Sequence, residues 1–308
     1  MQASDAAPTA AGPLPAGERR EVVRRVLQWY RSNARDLPWR RAEATPWQVM
    51  VSEFMLQQTP VARVREPWRL WIERWPTPSA LAAAPAGEAV RAWGRLGYPR
   101  RALRLHAAAS VITSQHGGNV PADKQELLRL PGIGEYTAGA ILAFAYSRRE
   151  VVLDTNVRRV LSRISSGLAL PPPTMTALER AQARAFLPRQ GGHAARWAVA
   201  SMELGALVCT ARAPRCASCP VSDLCRWRRN GQRPSPVDRR RPHQGYEGTD
   251  RQCRGVLLAA FRAAESPVSV RELQGHWPDA GQRARALASL ITDGLVINVD
   301  EHHYRLPG

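Results

Sequence analysis

Four of the five cysteines in this chain, Cys209, Cys216, Cys219 and Cys225, fall within seventeen residues at the spacing C-x6-C-x2-C-x5-C. Thiolates gathered this closely are soft ligands for a single inorganic centre, and structural zinc and iron–sulfur clusters both accept four of them. The same stretch holds Arg212, Arg215 and Asp223, so it is a poor place to bury cysteines as small apolar side chains. Spacing alone leaves zinc and iron–sulfur open.

A second chemical feature is VPADKQELLRLPGIGEYTAGAILAFAYS, Val120 to Ser147, which reads as a helix, a tight turn Leu130-Pro131-Gly132-Ile133-Gly134, and a second helix. Glycine lets a ligand approach the backbone closely, and the free N–H groups at the start of the following helix favour an anion. A phosphate held this way is bound without reading base identity. The charge balance agrees: 44 Lys+Arg against 26 Asp+Glu give +18, which points to a polyanionic partner, nucleic acid first. Lys124 is the only lysine, so nearly all of that charge is guanidinium, suited to bidentate phosphate contacts.

The elements that must position these features are helices. From Glu18 to Arg229 apolar residues recur at helical spacing, starting with Val22, Val23, Val26, Leu27 and Tyr30. Further helices are expected over Pro46–Arg65, Pro67–Trp75 (with Trp68, Trp71 and Trp75 on one face), Gly87–Leu96, Arg100–His116, Lys124–Leu130, Tyr136–Tyr146, Asn156–Ser165, Thr176–Phe186 and His193–Leu207. The fold class is therefore all-α. Residues 1–17, rich in Ala and Pro, read as a disordered tail, and the arginine-rich stretch 230–250 as a basic linker. Residues 251–308 read as three helices plus a hairpin of Leu295–Val299 with His303–Leu306, a winged-helix-like module that could contact DNA or protein. With no secretory pattern and no spanning apolar run, a cytosolic, nucleoid-associated protein is expected, and a reducing compartment suits cysteines held as metal thiolates.

LPGIGEYTAGA, then the aspartate-bearing LDTNVRRV, then the cysteine ladder, in that order, resemble the helix-hairpin-helix DNA glycosylase superfamily that contains endonuclease III. Within it, LPWR (Leu37 to Arg40) and SEFMLQQTPVARV (Ser52 to Val64) look like the adenine-specific MutY branch, and the similarity runs from Leu27 to Cys225. The resemblance implies a [4Fe–4S] cluster on the four cysteines. It implies that Glu53 is the catalytic acid and Asp154 the second carboxylate, on a monomer acting on duplex DNA that contains adenine opposite 8-oxoguanine or guanine. Adenine is a poor leaving group, so an acid must protonate its ring as the N-glycosidic bond breaks, and that acid needs a desolvated setting to stay protonated near neutral pH. The second carboxylate stabilises the oxocarbenium-like sugar, a pairing analogous to that of glycoside hydrolases.

By the same resemblance Tyr136 and Asn156 order the reacting nucleotide, and Gln57, Gln58 and Tyr98 fill or wedge the duplex once adenine is rotated outward. Leu130, Gly132, Ile133 and Gly134 form the DNA-binding hairpin. Bland roles exist for each: a surface glutamate at 53, a helix N-cap at Asp154, a capping amide at Asn156, a helix-contact tyrosine at 136. Endonuclease III-like lyases use a lysine of the second hairpin helix as an imine-forming nucleophile; Tyr136 stands in that place, which implies a monofunctional enzyme. The alternatives are a glycosylase/lyase acting on oxidised pyrimidines and a non-catalytic iron–sulfur DNA-binding protein. The chain departs from the family at Pro99, where a second aromatic residue commonly follows the tyrosine. It also departs after Arg229, where no Nudix-like domain is recognisable.

Overall fold

The computed structural model describes residues 14–234 and 245–308. Contacts divide them into two compact units: a cysteine unit of residues 14–36 with 139–234, and a hairpin unit of residues 37–138 with 245–308. Of the expected tail, residues 1–13 lie outside the described residues; Leu14 is buried and helix α1 begins at Ala16, so the last four residues of that stretch belong to the folded cysteine unit. Of the expected linker, residues 235–244 lie outside the described residues.

In chain order, α1 (Ala16–Asn33) is followed by α2 (Pro46–Leu56) and α3 (Val61–Arg74). The single helix expected over Pro46–Arg65 is thus two helices, broken at Gln57–Pro60. Pro60 has no N–H to continue the helical ladder, and Gln58 adopts a left-handed φ of 55°. Pro67, expected to open a helix, lies inside α3. Then come α4 (Pro78–Ala82), α5 (Ala86–Trp93), α6 (Arg100–Gln115), α7 (Lys124–Arg129) and α8 (Glu135–Tyr146), within which the two units divide. The cysteine unit continues with α9 (Thr155–Leu161), which runs into a π turn over Ser162–Ser166, and with α10 (Ala177–Phe186), α11 (Gly191–Leu207) and α12 (Arg226–Arg229).

Helix α2 is the centre of the hairpin unit. Thr45 and Gln48 form a reciprocal capping box with Pro46 in the first turn, which fixes where the helix starts. Val49 to Met55 are then all buried, as expected of a helix that is apolar nearly all round. Indole N–H groups bind it to its surroundings: Trp47 donates to Trp75 O at 3.0 Å and Trp68 to Gln48 O at 3.0 Å, while Trp71 stands edge-on to both Trp75 and Trp93. In the cysteine unit, α1, α9, α10 and α11 share one core that includes Val22, Val26, Val157, Phe186, Trp197 and Leu204.

Residues 245–308 belong to the hairpin unit rather than standing by themselves. Thr249 caps α13 (Asp250–Ala263), and β1 (Val268–Ser269), α14 (Val270–Gln274), α15 (Ala280–Thr292), β2 (Ile297–Asn298) and β3 (His303–Arg305) follow. The strands form an antiparallel sheet in the order β1-β3-β2, with Val268 opposite Tyr304 and Ile297 opposite Arg305.

Candidate active site and cysteine loop

In the hairpin unit Glu53 occupies the buried stretch of α2, only 6 % exposed. The hairpin is fastened to that helix. Gly132 has a φ of 83°, and a Cβ there would come within 2.9 Å of Phe54 Cε1 and of Arg104 Cβ, so only glycine lets the turn close against α2 and α6. Gly134 differs: nothing lies within 4 Å of where its Cβ would be, which leaves its backbone open to a ligand. Leu130 and Ile133 anchor the turn by burial, and Ile133 N–H donates to Leu130 O at 3.2 Å. Tyr136, in the first turn of α8, is half-buried.

Gln58 and Tyr98 are two of four non-glycine residues with positive φ among the described residues, at 55° and 46°. Such backbone is held only where surroundings enforce it, and it marks functional loops. Both residues are exposed; Gln57 is half-buried, its amide 3.4 Å from Thr137 Oγ1. The enforcing group is one that sequence reasoning missed. Arg101, 5 % exposed, donates to Phe54 O (2.7 Å), Met55 O (3.1 Å), Gln57 O (2.5 Å), Thr59 Oγ1 (3.0 Å) and Gly97 O (3.0 Å). One guanidinium thereby ties the end of α2 to both loops. Burial pulls its pKa down to about 10, which still leaves it charged at neutral pH, and the fork geometry of arginine is what reaches five acceptors at once. Nothing in the sequence separates Arg101 from the many other arginines; its role is set by what it touches.

In the cysteine unit Asp154 is the N-cap of α9, as its bland reading foresaw: Oδ1 accepts from Val157 N–H at 2.6 Å, while Oδ2 accepts from the Asn156 side-chain amide at 2.8 Å. Burial raises its pKa, and those two hydrogen bonds with the nearby Arg159 charge work against that rise. Asn156 is oriented in turn by Arg159, which donates to its Oδ1 (2.8 Å), to Gly205 O (2.7 Å) and to Cys209 O (2.8 Å). A Cβ at Gly205 would lie 2.7 Å from Asn156 Cβ, so a glycine in α11 is what admits Asn156. A hydrogen-bonded chain therefore runs from the Asp154 carboxylate to the first cysteine of the ladder.

The four cysteines line a single cavity walled by Val160, Ile164, Leu204, Val221 and Trp227. Burial pushes the Cys219 thiol up to about 12 and raises Cys225 as well, so these groups ionise only when a cation supplies compensating charge. Nitrogen donors already face two of the sulfurs: Arg163 reaches Cys209 Sγ at 3.2 Å and Gln232 reaches Cys216 Sγ at 3.1 Å. Arg163 is itself held over the Trp227 ring at 4.4 Å. Four thiols around one cavity, with N–H donors on two of the sulfurs, fit a metal–sulfur centre whose cations offset the thiolate charge.

Comparison with known proteins agrees with this geometry. Residues 51–183 match the HhH-GPD superfamily base excision DNA repair protein family, and residues 209–225, the stretch that spans the four cysteines, match the iron-sulfur binding domain of endonuclease III, so the chain carries a [4Fe–4S] cluster. The chain is 50 % identical over 297 residues to an adenine DNA glycosylase of Mycobacterium tuberculosis, covering 96 % of this chain and 97 % of that one. It is 33 % identical to a thymine-DNA glycosylase of Aeropyrum pernix, over 70 % of this chain and 98 % of the relative. An endonuclease III trapped covalently on DNA shares the fold at a TM-score of 0.61 and 22 % identity, covering 71 % of this chain and 100 % of that chain. No helix among the described residues is long and apolar enough to cross a membrane. An all-α chain with a hairpin closed onto its buried-glutamate helix, an iron–sulfur loop, and half its residues shared with that full-length mycobacterial relative belongs to the adenine DNA glycosylase family of the helix-hairpin-helix superfamily.

Proposed function

We propose that this protein is a monofunctional base-excision enzyme that hydrolyses the N-glycosidic bond of adenine mispaired with 8-oxoguanine or guanine in duplex DNA, working as a monomer. Glu53 donates the proton that adenine needs in order to leave. Asp154 stabilises the cationic sugar until water adds, and Tyr136 and Asn156 order the nucleotide. Gln57, Gln58 and Tyr98 occupy the space vacated by the extruded base, and the hairpin from Leu130 to Gly134 holds backbone phosphate through its open Gly134 amide. The cluster shapes the arginine-rich cysteine loop.

The observation that carries this reading is the placement of Glu53: a carboxyl group 6 % exposed in an apolar helix, next to the phenylalanine on which the hairpin glycine closes. Burial disfavours the ionised form of a carboxylic acid, which is the direction general-acid catalysis on a purine requires. Gel assay of adenine release from duplexes with adenine opposite 8-oxoguanine, guanine and thymine tests it, with release expected from the two mispairs and none from the adenine–thymine pair.

The pyrimidine-lesion lyase reading is disfavoured because the only lysine, Lys124, lies ahead of the hairpin and pairs with Glu135 at 3.2 Å. Borohydride trapping on a thymine glycol duplex should yield no covalent adduct.

A further inference from the structure

The final 64 residues carry seven arginines and eight acidic residues, in a chain whose overall charge is +18. The segment therefore contributes nothing to the positive field that a DNA-contacting surface uses. Its helices tell the same story. In α15, the helix that a groove-binding module would present, the exposed positions include Gly281, Ala284 and Ala288. Its arginines are occupied at home: Arg285 pairs with Asp250 at 2.9 Å and Arg283 donates to Pro278 O at 2.8 Å. At the tip between β2 and β3 stand Asp300 and Glu301, both exposed, and backbone N–H donors from His302 and His303 hold Asp300 below the usual carboxylate range.

Among the described residues, the bonds that join this segment to α5 and α6 fall on both sides of one loop. On α5, Gly87 N–H donates to Pro307 O at 2.6 Å, and a Cβ at Gly87 would lie 2.5 Å from that same oxygen. Two arginines cross-cap each other's helices: Arg91 of α5 donates to Arg262 O and Ala264 O at the end of α13, while Arg262 of α13 donates to Val90 O at 2.9 Å. Carbonyls at helix C-termini are where such cations are favoured. On the first turns of α6, Arg100 pairs with Asp293 at 3.1 Å, and Gly294 lies against Leu103. Between these two sets of anchors runs the stretch Gly94–Pro99 that carries Tyr98 in its left-handed conformation.

We propose that the C-terminal module, residues 250–308, is an intramolecular brace that fixes α5 and α6 and so holds the Tyr98 loop in position for base extrusion, and that it is not a second DNA-reading domain. Arg101 holds the loop from within and the module holds it from behind. The proposal rests on the reading of Tyr98 as the residue that wedges the duplex.

The test uses full-length protein. Gly87→Val should prise the Pro307 segment from α5, and Arg100→Ala is the milder variant that removes the ion pair to α6 while the Asp293–Arg254 pair within the module stays in place. Amide exchange of residues 94–98 should speed up in both, more in the first, while protection of α2 and cluster absorbance stay unchanged. Single-turnover adenine release should slow by about tenfold in Gly87→Val when Tyr98 is present and by less than about twofold in a Tyr98→Ala background, since coupled residues are non-additive. Unchanged exchange in the loop, or equal slowing in both backgrounds, overturns the brace. If Tyr98→Ala by itself leaves release untouched, the reading of Tyr98 fails, and the exchange measurement alone then decides the brace. Arg271→Ala with Arg285→Ala should leave the dependence of log Kd on log salt for undamaged duplex unchanged; a slope shallower by about 0.9 or more for each charge removed would make the module a phosphate-contacting surface and overturn the proposal.

Discussion

The two carboxylates proposed for the chemistry sit in opposite kinds of surroundings. Glu53 is embedded in α2, where every residue from Val49 to Met55 is buried. Asp154 lies part-buried at the start of α9, gripped by a backbone N–H, an amide and, one step further, a guanidinium that also binds Cys209 O. The first setting favours a neutral acid, and the second supplies partners for an anion. The contrast teaches that the fold differentiates two chemically similar buried groups by what surrounds them, an apolar helix in one unit and hydrogen-bond donors in the other.

Removing either group is the hardest blow to this comparison. Glu53→Gln and Asp154→Asn should each lower single-turnover adenine release by at least about 100-fold, with duplex affinity little changed. A variant that keeps full activity would strip that residue of its role. Next in size is the chain that orients Asp154: Arg159→Met should reduce release by roughly 10- to 100-fold, the range seen when groups that orient a ligand or reacting side chain are lost, and it should also perturb the absorbance of the cluster, because Cys209 O loses its donor. An effect on release with unaltered cluster absorbance would confine Arg159 to the aspartate side.

Arg101→Met probes the other unit. Leaving Phe54 O, Gln57 O and Gly97 O without their donor should cost about 2 kcal/mol of stability by chemical denaturation and slow base extrusion, read with 2-aminopurine fluorescence, more than it weakens duplex binding. Equal losses in extrusion and binding would mean that Arg101 supports the unit in general.

The smallest effect concerns pH. Because burial raises the Asp154 pKa, the folded state binds its proton more tightly than the unfolded chain does. Stability is therefore lost as pH rises from the ordinary carboxylate value through the folded one, and the ionised form at neutral pH is held at a cost. Asp154→Asn keeps an N-cap and sheds that cost, so it should melt at a higher temperature than wild type at pH 7, the difference shrinking in acid. For wild type the acid limb of the release rate should lie above the ordinary carboxylate pKa of about 4.

Much of this protein is legible in its sequence, because the features concerned are local. The turn at Gly132, the cap at Asp154 and the cysteine ladder each depend on residues a few positions apart, so spacing and residue type determined them. The resemblance built on those motifs carried the family. What sequence could not reach is whatever depends on distant partners. The break between α2 and α3 was hidden because the apolar periodicity of SEFMLQQTPVARV continues across Pro60, and the bonds that hold the bend come from distant partners, Arg101 to Gln57 O and Thr59 Oγ1 and Thr59 Oγ1 to Leu96 O. The clasp between Arg91 and Arg262 joins residues 171 positions apart. In a chain with 44 Lys+Arg, composition cannot say which guanidinium is buried on carbonyls and which faces solvent. Tertiary structure decided that, since a buried charge persists only where several acceptors from separate segments meet it at once.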